Sequence, residues 1–268
     1  GVNIQAINFQ GYDDVFDDMS GSDGIYRKSL NFEVRILNSF NNIYSTAFDG
    51  VDDYVSLGVS GMSAAKNTGS ISIWFKMETT ATGIYLMRLY EDSDNYIGVF
   101  YNYSADEFTL LYKAGGTSTS VTFSDDVQGD GLWHHITATW DKTSNASIYL
   151  DGVLKDQEAI SGTFVGSFTT AAIGNSTQGS LYWIGNIDEV SLYNLELSAA
   201  DVTTLYNDGL PYTVASDTGL IGWWRMGDGG IIGDPIATFP TIPDDSSNSN
   251  NGTMTNMTST DFEADVPE

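Results

Sequence analysis

The chain has 268 residues, and its 10 Lys and Arg stand against 36 Asp and Glu, for a formal net charge of −26. That balance excludes nucleic acid as a partner, because a second polyanion would be repelled, and the absence of cysteine removes disulfides and thiolate chemistry. Charged residues make up 17% and hydrophobic residues 41%, the composition of a folded rather than a disordered chain, and no run of eighteen apolar residues offers a membrane-inserting helix.

Along the chain, residues 1–38 form an acidic, glycine-rich arm (Gly11-Tyr-Asp-Asp14, Asp17-Asp18, Gly21-Ser-Asp-Gly24) that feeds one alternating run from Leu30 to Leu37. Residues 39–215 hold short apolar-alternating runs at 71–77, 96–101, 108–113, 136–140 and 148–154, separated by Gly, Asn, Asp and Ser clusters, and these read as strands. In the first run Ile71, Ile73, Phe75 and Met77 share one face and Ser72 and Lys76 the other, the pattern of a sheet buried on one side. Two packed sheets satisfy it. Ser198, with Asp201 three residues on, opens one short helix near 198–206; Val202 and Leu205 share its apolar face, and Asn207-Asp-Gly209 stops it. Residues 216–257 add a strand at Leu220-Ile-Gly-Trp-Trp-Arg-Met226, a loop, and Gly252-Thr-Met-Thr-Asn256, before a loose tail over 258–268.

Four segments, in order, carry a family resemblance. They are Phe48-Asp-Gly-Val-Asp-Asp-Tyr-Val55, Gly131-Leu-Trp-His-His-Ile-Thr-Ala-Thr-Trp140, Ile148-Tyr-Leu-Asp-Gly-Val153, and Gly185-Asn-Ile-Asp-Glu-Val-Ser-Leu-Tyr-Asn194 running on into Leu197-Ser-Ala-Ala-Asp-Val and Leu205-Tyr-Asn-Asp-Gly209. Together, over roughly residues 43–209, they resemble the laminin G-like, concanavalin A-like jelly rolls, a group that includes the pentraxins. The resemblance implies an all-β fold, a two-sheet antiparallel jelly-roll sandwich with a short helix near its end. In many such modules a strand with a Trp or Tyr pair and a Gly-Thr strand stand before the Phe-Asp-Gly motif, whereas here Trp223-Trp224 and Gly252-Thr253 stand after it. These strands either complete the same sandwich in permuted order or pair with a neighbouring subunit. Completion within the chain is favoured, because an unpaired Trp-rich strand is an aggregation hazard. The order, with Trp-Trp-Arg-Met-Gly-Asp and Gly-Thr-Met-Thr-Asn-Met, is similar to laminin G-like proteins of marine bacteriophages.

Carboxylates dominate the candidate chemistry. Asp outnumbers Glu by 27 to 9, which puts most acids in turns. In Ile187-Asp-Glu-Val-Ser-Leu192, parity places Asp188 with Val190 and Leu192, toward the core, where an unpaired charge is costly and a hard cation is a credible partner. Asp49 and Asp188, with Asp52 or Asp53 and carbonyls near Gly50, are therefore the candidate calcium ligands. The resemblance likewise implies a structural calcium between the Phe-Asp-Gly turn and the Ile-Asp-Glu strand. The alternative is that Asp49 caps its turn and Asp188 accepts backbone N–H groups.

His134 and His135 are the only histidines, and as strand neighbours they point to opposite faces and cannot share one metal or proton. His134, sharing parity with Ile136, Ala138 and Trp140, reads as a hydrogen-bonded core residue. A glycosidase needs two carboxyls about 5–9.5 Å apart; the nearest pattern, Glu91-Asp-Ser-Asp94, reads as a hairpin turn. Trp183, beside Tyr182 and between glycines, is a candidate sugar-stacking ring. The expectation is a non-enzymatic, calcium-stabilised structural or adhesion protein of a virion or cell surface. Its partners would be other copies, other virion or surface proteins, or a glycan, without membrane insertion. A lectin is the alternative, and a glycosidase or lyase is kept only because the fold hosts them.

Overall fold

The computed structural model divides into Gly1–Leu37 and Asn38–Glu268, and it describes residues 42–80, 82–176, 181–228 and 239–267, all in the second unit. The acidic arm and the expected Leu30–Leu37 strand lie outside the described residues. In chain order the strands are β1 (Ser45–Asp49), β2 (Tyr54–Leu57), β3 (Thr68–Met77), β4 (Ile84–Asp92), β5 (Asn95–Asn102), β6 (Glu107–Ala114), β7 (Thr117–Phe123) and β8 (His134–Asp141). They continue as β9 (Asn145–Leu150), β10 (Val153–Ala159), β11 (Thr170–Ile173), β12 (Ile184–Tyr193), β13 (Leu220–Trp224), β14 (Thr241–Ile242), β15 (Gly252–Thr255) and β16 (Phe262–Glu263), with helix α1 (Ala199–Tyr206) after β12.

Two eight-stranded antiparallel sheets face each other. The first runs β10-β9-β8-β3-β12-β1-β16, with β13 also on β12; the second runs β14-β15-β2-β11-β4-β5-β6-β7. Alternation along β3 decides the layering, since Ile71, Ile73, Phe75 and Met77 all join the inter-sheet core. Phe75 meets Phe108 of β6 at 5.3 Å between ring centroids. Each such side chain removed from water contributes about 1.5–3 kcal/mol. Trp140, fully buried, still satisfies its indole N–H on the Ala65 carbonyl at 2.7 Å.

The outer face of the first sheet is covered too, by a second apolar cluster that includes Tyr193, Leu197, Val202, Leu205, Val214 and Trp223. Helix α1 supplies Val202 and Leu205 to it, held by the Ser198–Asp201 capping box and closed by a left-handed Asn207. The C-terminal strands pair within the chain: β13 along β12 (Val190 opposite Trp224), β15 along β2 (Val55 opposite Met254) and β16 on β1. Residues 258–267, expected as a loose tail, are instead tied down. Thr258 and Asp261 cap a short 3-10 turn, and the Asp265 carboxylate accepts from Lys76 Nζ at 2.8 Å and Trp133 Nε1 at 2.9 Å. Two scattered anchors of this kind leave no periodic trace.

Gly69 of β3 lies against the Trp140 ring, where an added Cβ would meet Trp140 Cζ2 at 2.6 Å and the Tyr193 carbonyl at 2.9 Å. Gly69→Ala is expected to cost roughly 1–3 kcal/mol by overpacking. A urea melt checks this, and an unchanged midpoint would show that the indole shifts freely.

Candidate functional site

Two of the predicted calcium ligands meet at the turn after β1. The carboxylates of Asp49, Asp52 and Asp53 each bring an oxygen within 4.8 Å of the others. The turn forms because Asp49 Oδ1 accepts from the Val51 N–H at 2.8 Å and the Asp52 N–H at 3.4 Å, while Asp53 Oδ2 accepts from the Asp49 N–H at 3.1 Å. Gly50 takes φ 75° there, and a Cβ on it would strike Ile184 Cβ at 2.9 Å. Asp53 is 6% exposed, and its carboxyl is pushed up to about 6 by burial, reinforced by the charges of Asp49, Asp261 and Asp52. No ion pair to these three aspartates occurs among the described residues, so the concentrated charge fits a hard, oxygen-seeking cation.

Asp188 is elsewhere. Asp49 lies opposite Ile184 and Thr46 opposite Ile187, so Asp188 is four residues along β12 from the Asp49 pairing, roughly 13 Å of strand. Nor does its side chain face the core with Val190 and Leu192. A register irregularity between Asp188 and Ser191, with Glu189 at φ 44°, lets Ile187, Val190 and Leu192 all face inward and turns Asp188 outward beside Trp74. A β-bulge inserts one residue and breaks the parity on which the sequence expectation rested.

There Asp188 belongs to a sealed polar network. Asn42 Nδ2 donates to Asp188 Oδ2 and the Glu189 N–H to Asp188 Oδ1, both at 2.8 Å. Arg225 Nε donates to Glu189 Oε1 at 2.9 Å, Trp223 Nε1 to Glu189 Oε2 at 2.7 Å, and Arg225 Nη2 lies 3.4 Å from Asp228 Oδ2. Burial, then the Glu189 charge, holds Asp188 well above the carboxylate range, and burial pushes Glu189 to about 7 despite Arg225.

The histidines do occupy opposite faces. His134 is hydrogen-bonded, as expected, bridging Asp151 at 2.9 Å and Asp130 at 3.0 Å beside the core ring of Phe75, but it is half-buried rather than enclosed in the core. His135 is 1% exposed, its Nε2 is 2.7 Å from Ser72 Oγ, and burial lowers it to about 3. This serine–histidine pair borders a cavity of only about 10 Å³ shared with Glu189 and Trp223, room for a water and no substrate. Trp183 must be corrected: it is fully buried and meets Phe75 edge-on at 5.7 Å, so it is a core residue and presents no ring to a ligand.

The outer face of the second sheet carries the aromatic platform that Trp183 does not. Three cross-strand rows hold Tyr90, Tyr96 and Lys113; Arg88, Gly98 and Leu111; and Tyr85, Phe100 and Thr109. Tyr90 and Tyr96 stack at 6.2 Å and Tyr85 and Phe100 lie at 4.9 Å, with Tyr90, Tyr96 and Phe100 half-buried. Arg88 sits between the two ring pairs, its guanidinium carbon 4.2 Å from the Tyr96 centroid, 4.6 Å from Tyr90 and 5.5 Å from Tyr85. The sequence signal was present as Arg88-x-Tyr90 and Tyr96-x-Gly98-x-Phe100, like-parity positions of two paired strands, whereas Tyr85 reaches this face through a register shift between Tyr85 and Met87.

A family profile described as the concanavalin A-like lectin/glucanases superfamily (Laminin_G_3) matches residues 49–203, more than half of the chain. The chain belongs to this family. No curated protein matches it by sequence. Among solved structures, this laminin G-like chain resembles a Bacteroides ovatus protein assigned to carbohydrate binding, with TM-score 0.61 and 16% identity over 85% of this chain and 62% of that one, so it spans less than two thirds of that protein's length. Domain 4 of a GH43 extracellular arabinanase from Geobacillus stearothermophilus, in complex with arabinotriose, aligns with TM-score 0.51 and 20% identity over 60% of this chain and 76% of that domain. A heptameric SAP-like pentraxin from Limulus polyphemus aligns with TM-score 0.50 and 14% identity over 62% and 82%. At these identities the likeness speaks to the fold.

Because Asp188 and Glu189 are raised by burial, the native state retains protons that the unfolded chain releases between about pH 4.5 and 7. Stability therefore falls as pH rises through that window. Arg225→Met removes the cation that lowers Glu189 and is expected to cost roughly 3–5 kcal/mol at pH 8, and distinctly less at pH 5. Equal losses at both pH values in paired thermal melts would contradict this assignment.

Proposed function

We propose that this chain is a non-catalytic carbohydrate-binding module that acts at a cell or virion surface, and that the outer face of the second sheet is where it holds a glycan. The observation that carries the reading is the set of half-buried rings of Tyr90, Tyr96 and Phe100 on two adjoining strands, Tyr90 stacked on Tyr96 and Phe100 tilted against the buried Tyr85. Aromatic rings offer apolar faces on which the C–H side of a sugar packs, while polar edges take up its hydroxyls. The carbohydrate-binding description of the Bacteroides ovatus structure and the arabinotriose in the arabinanase domain support the same reading. No described helix is long and apolar enough to cross a membrane.

A glycan array followed by titration calorimetry tests it. Tyr96→Ala is expected to weaken the bound glycan roughly three- to tenfold, the loss of one ring contact, without lowering the melting temperature appreciably. Absence of binding across the array would overturn the reading.

The turn at Asp49, Asp52 and Asp53 is assigned to a structural calcium, which would neutralise three crowded carboxylates and pin the start of β2 to the end of β1. Gly50 allows the turn, and Asp188 stands apart in its own network. At a hundredfold excess over its dissociation constant such an ion contributes about 2.7 kcal/mol, several degrees of melting temperature for a domain of this size. Chelation is expected to lower the melt of the intact protein and to leave Asp49→Ala unmoved. If EDTA shifts neither, the turn is an acidic cap without a metal.

A further inference from the structure

The chain contains 36 acidic residues, and among the described residues Arg88 pairs with none of them. Its burial is nearly that of Arg225: the two are 8% and 5% exposed. Arg225 has Glu189 and Asp228. Arg88 has three tyrosine rings, one hydrogen bond from Nη1 to the Ser176 carbonyl at 2.8 Å, and a buried Nε with no acceptor. In the adjoining residue, Asn175, 5% exposed, keeps its Oδ1 without a donor.

Burying a guanidinium without a counter-charge is costly, and cation–π contacts return only part of that cost. Sequence does not force the situation, for a chain this acidic has carboxylates to spare. The residues beside Arg88 on the sheet are instead small, and aromatic rings rather than acids pack around it. Its row neighbours on the sheet are Ala172 and Gly98, and a Cβ on Gly98 would meet Tyr85 Cε1 at 2.8 Å and Arg88 Cγ at 3.5 Å. The only other cation on these three rows, Lys113, is drawn aside to the Ser93 carbonyl at 2.7 Å and toward Asp94 at 3.6 Å.

We infer that Arg88 receives an acidic substituent, a carboxylate or a sulfate ester, on the sugar that stacks against the flanking tyrosines. This rests on the glycan-binding reading above. A planar guanidinium matches either oxyanion with paired N–H donors. The formal charge of −26 does not preclude it. At physiological ionic strength fields decay within about 8 Å, so a single acidic substituent meets Arg88 locally, whereas a polyanion such as nucleic acid meets the whole acidic surface.

Isothermal titration of the full chain at 0.15 M NaCl tests it with five probes: a galacturonic acid trisaccharide, its methyl ester, a sulfated galactotriose, unsulfated galactotriose and arabinotriose. A charged probe is expected to bind about ten- to hundredfold more tightly than its neutral counterpart, and which pair shows the gap identifies carboxylate or sulfate. Arg88→Gln, which keeps a planar group and a donor, should abolish that gap, so that within the variant the charged probe binds no more tightly than its neutral counterpart. Should that variant fold poorly, the acid-to-ester comparison on the unaltered protein decides alone. Equal binding of charged and neutral probes, or a gap that survives in Arg88→Gln, overturns the anionic assignment and leaves the glycan reading standing. No binding of any probe overturns this assignment, and an empty array as well removes the glycan reading with it.

Discussion

Strand β12 is enclosed on both sides. From Gly185 to Tyr193 every residue is buried, one face in the inter-sheet core and the other beneath α1, the segment that follows it and the C-terminal strands. Two consecutive carboxylates in such a strand must find their partners inside the protein. The partner comes from far along the chain, because β13 pairs with β12 and brings Arg225 to Glu189. Charge compensation and topology are thus one arrangement: the permuted C-terminal strand completes the sheet and also supplies the cation that lets the strand beside it stay buried.

The two faces of the sandwich have opposite characters as a result. Over the first sheet, apolar residues of α1 and a hydrogen-bond network cover the strands, and the cavity beside Ser72 and His135 has room for a water at most. Over the second, no helix intervenes among the described residues, and tyrosines lie on the ladder between small residues. The contrast between Arg225, ringed by acids, and Arg88, ringed by aromatics, marks the same division in a single residue type.

How much of this can be read from the residues depends on how local the cause is. The inward face of β3 follows from alternation alone, and α1 from a capping box, two apolar positions and an Asn-Asp-Gly stop. The sandwich follows from segments whose spacing resembles a known family. Asp188 escapes parity because a bulge at Glu189 inserts a residue, and nothing in Ile-Asp-Glu-Val announces it. Trp183 is misread because a single aromatic next to glycines looks the same whether it faces solvent or core; only the approach of Phe75 from the facing side decides. Around Arg88, alternation gives Tyr90, Tyr96 and Phe100 one face of two hairpin strands, but Tyr85 joins them only through a register shift before Met87, and the lack of an acid partner among the described residues is a property of space and not of sequence.

Both sheets are closed by strands from the far ends of the described chain. On one, β16 lies against β1; on the other, β15 lies against β2. Such contacts span about two hundred residues, which places the fold at the slow, high-contact-order end of folding kinetics. During synthesis the early strands therefore wait with open edges until residues 252–263 leave the ribosome. The emergence of these last strands, more than any local event, sets the moment at which this sandwich can close.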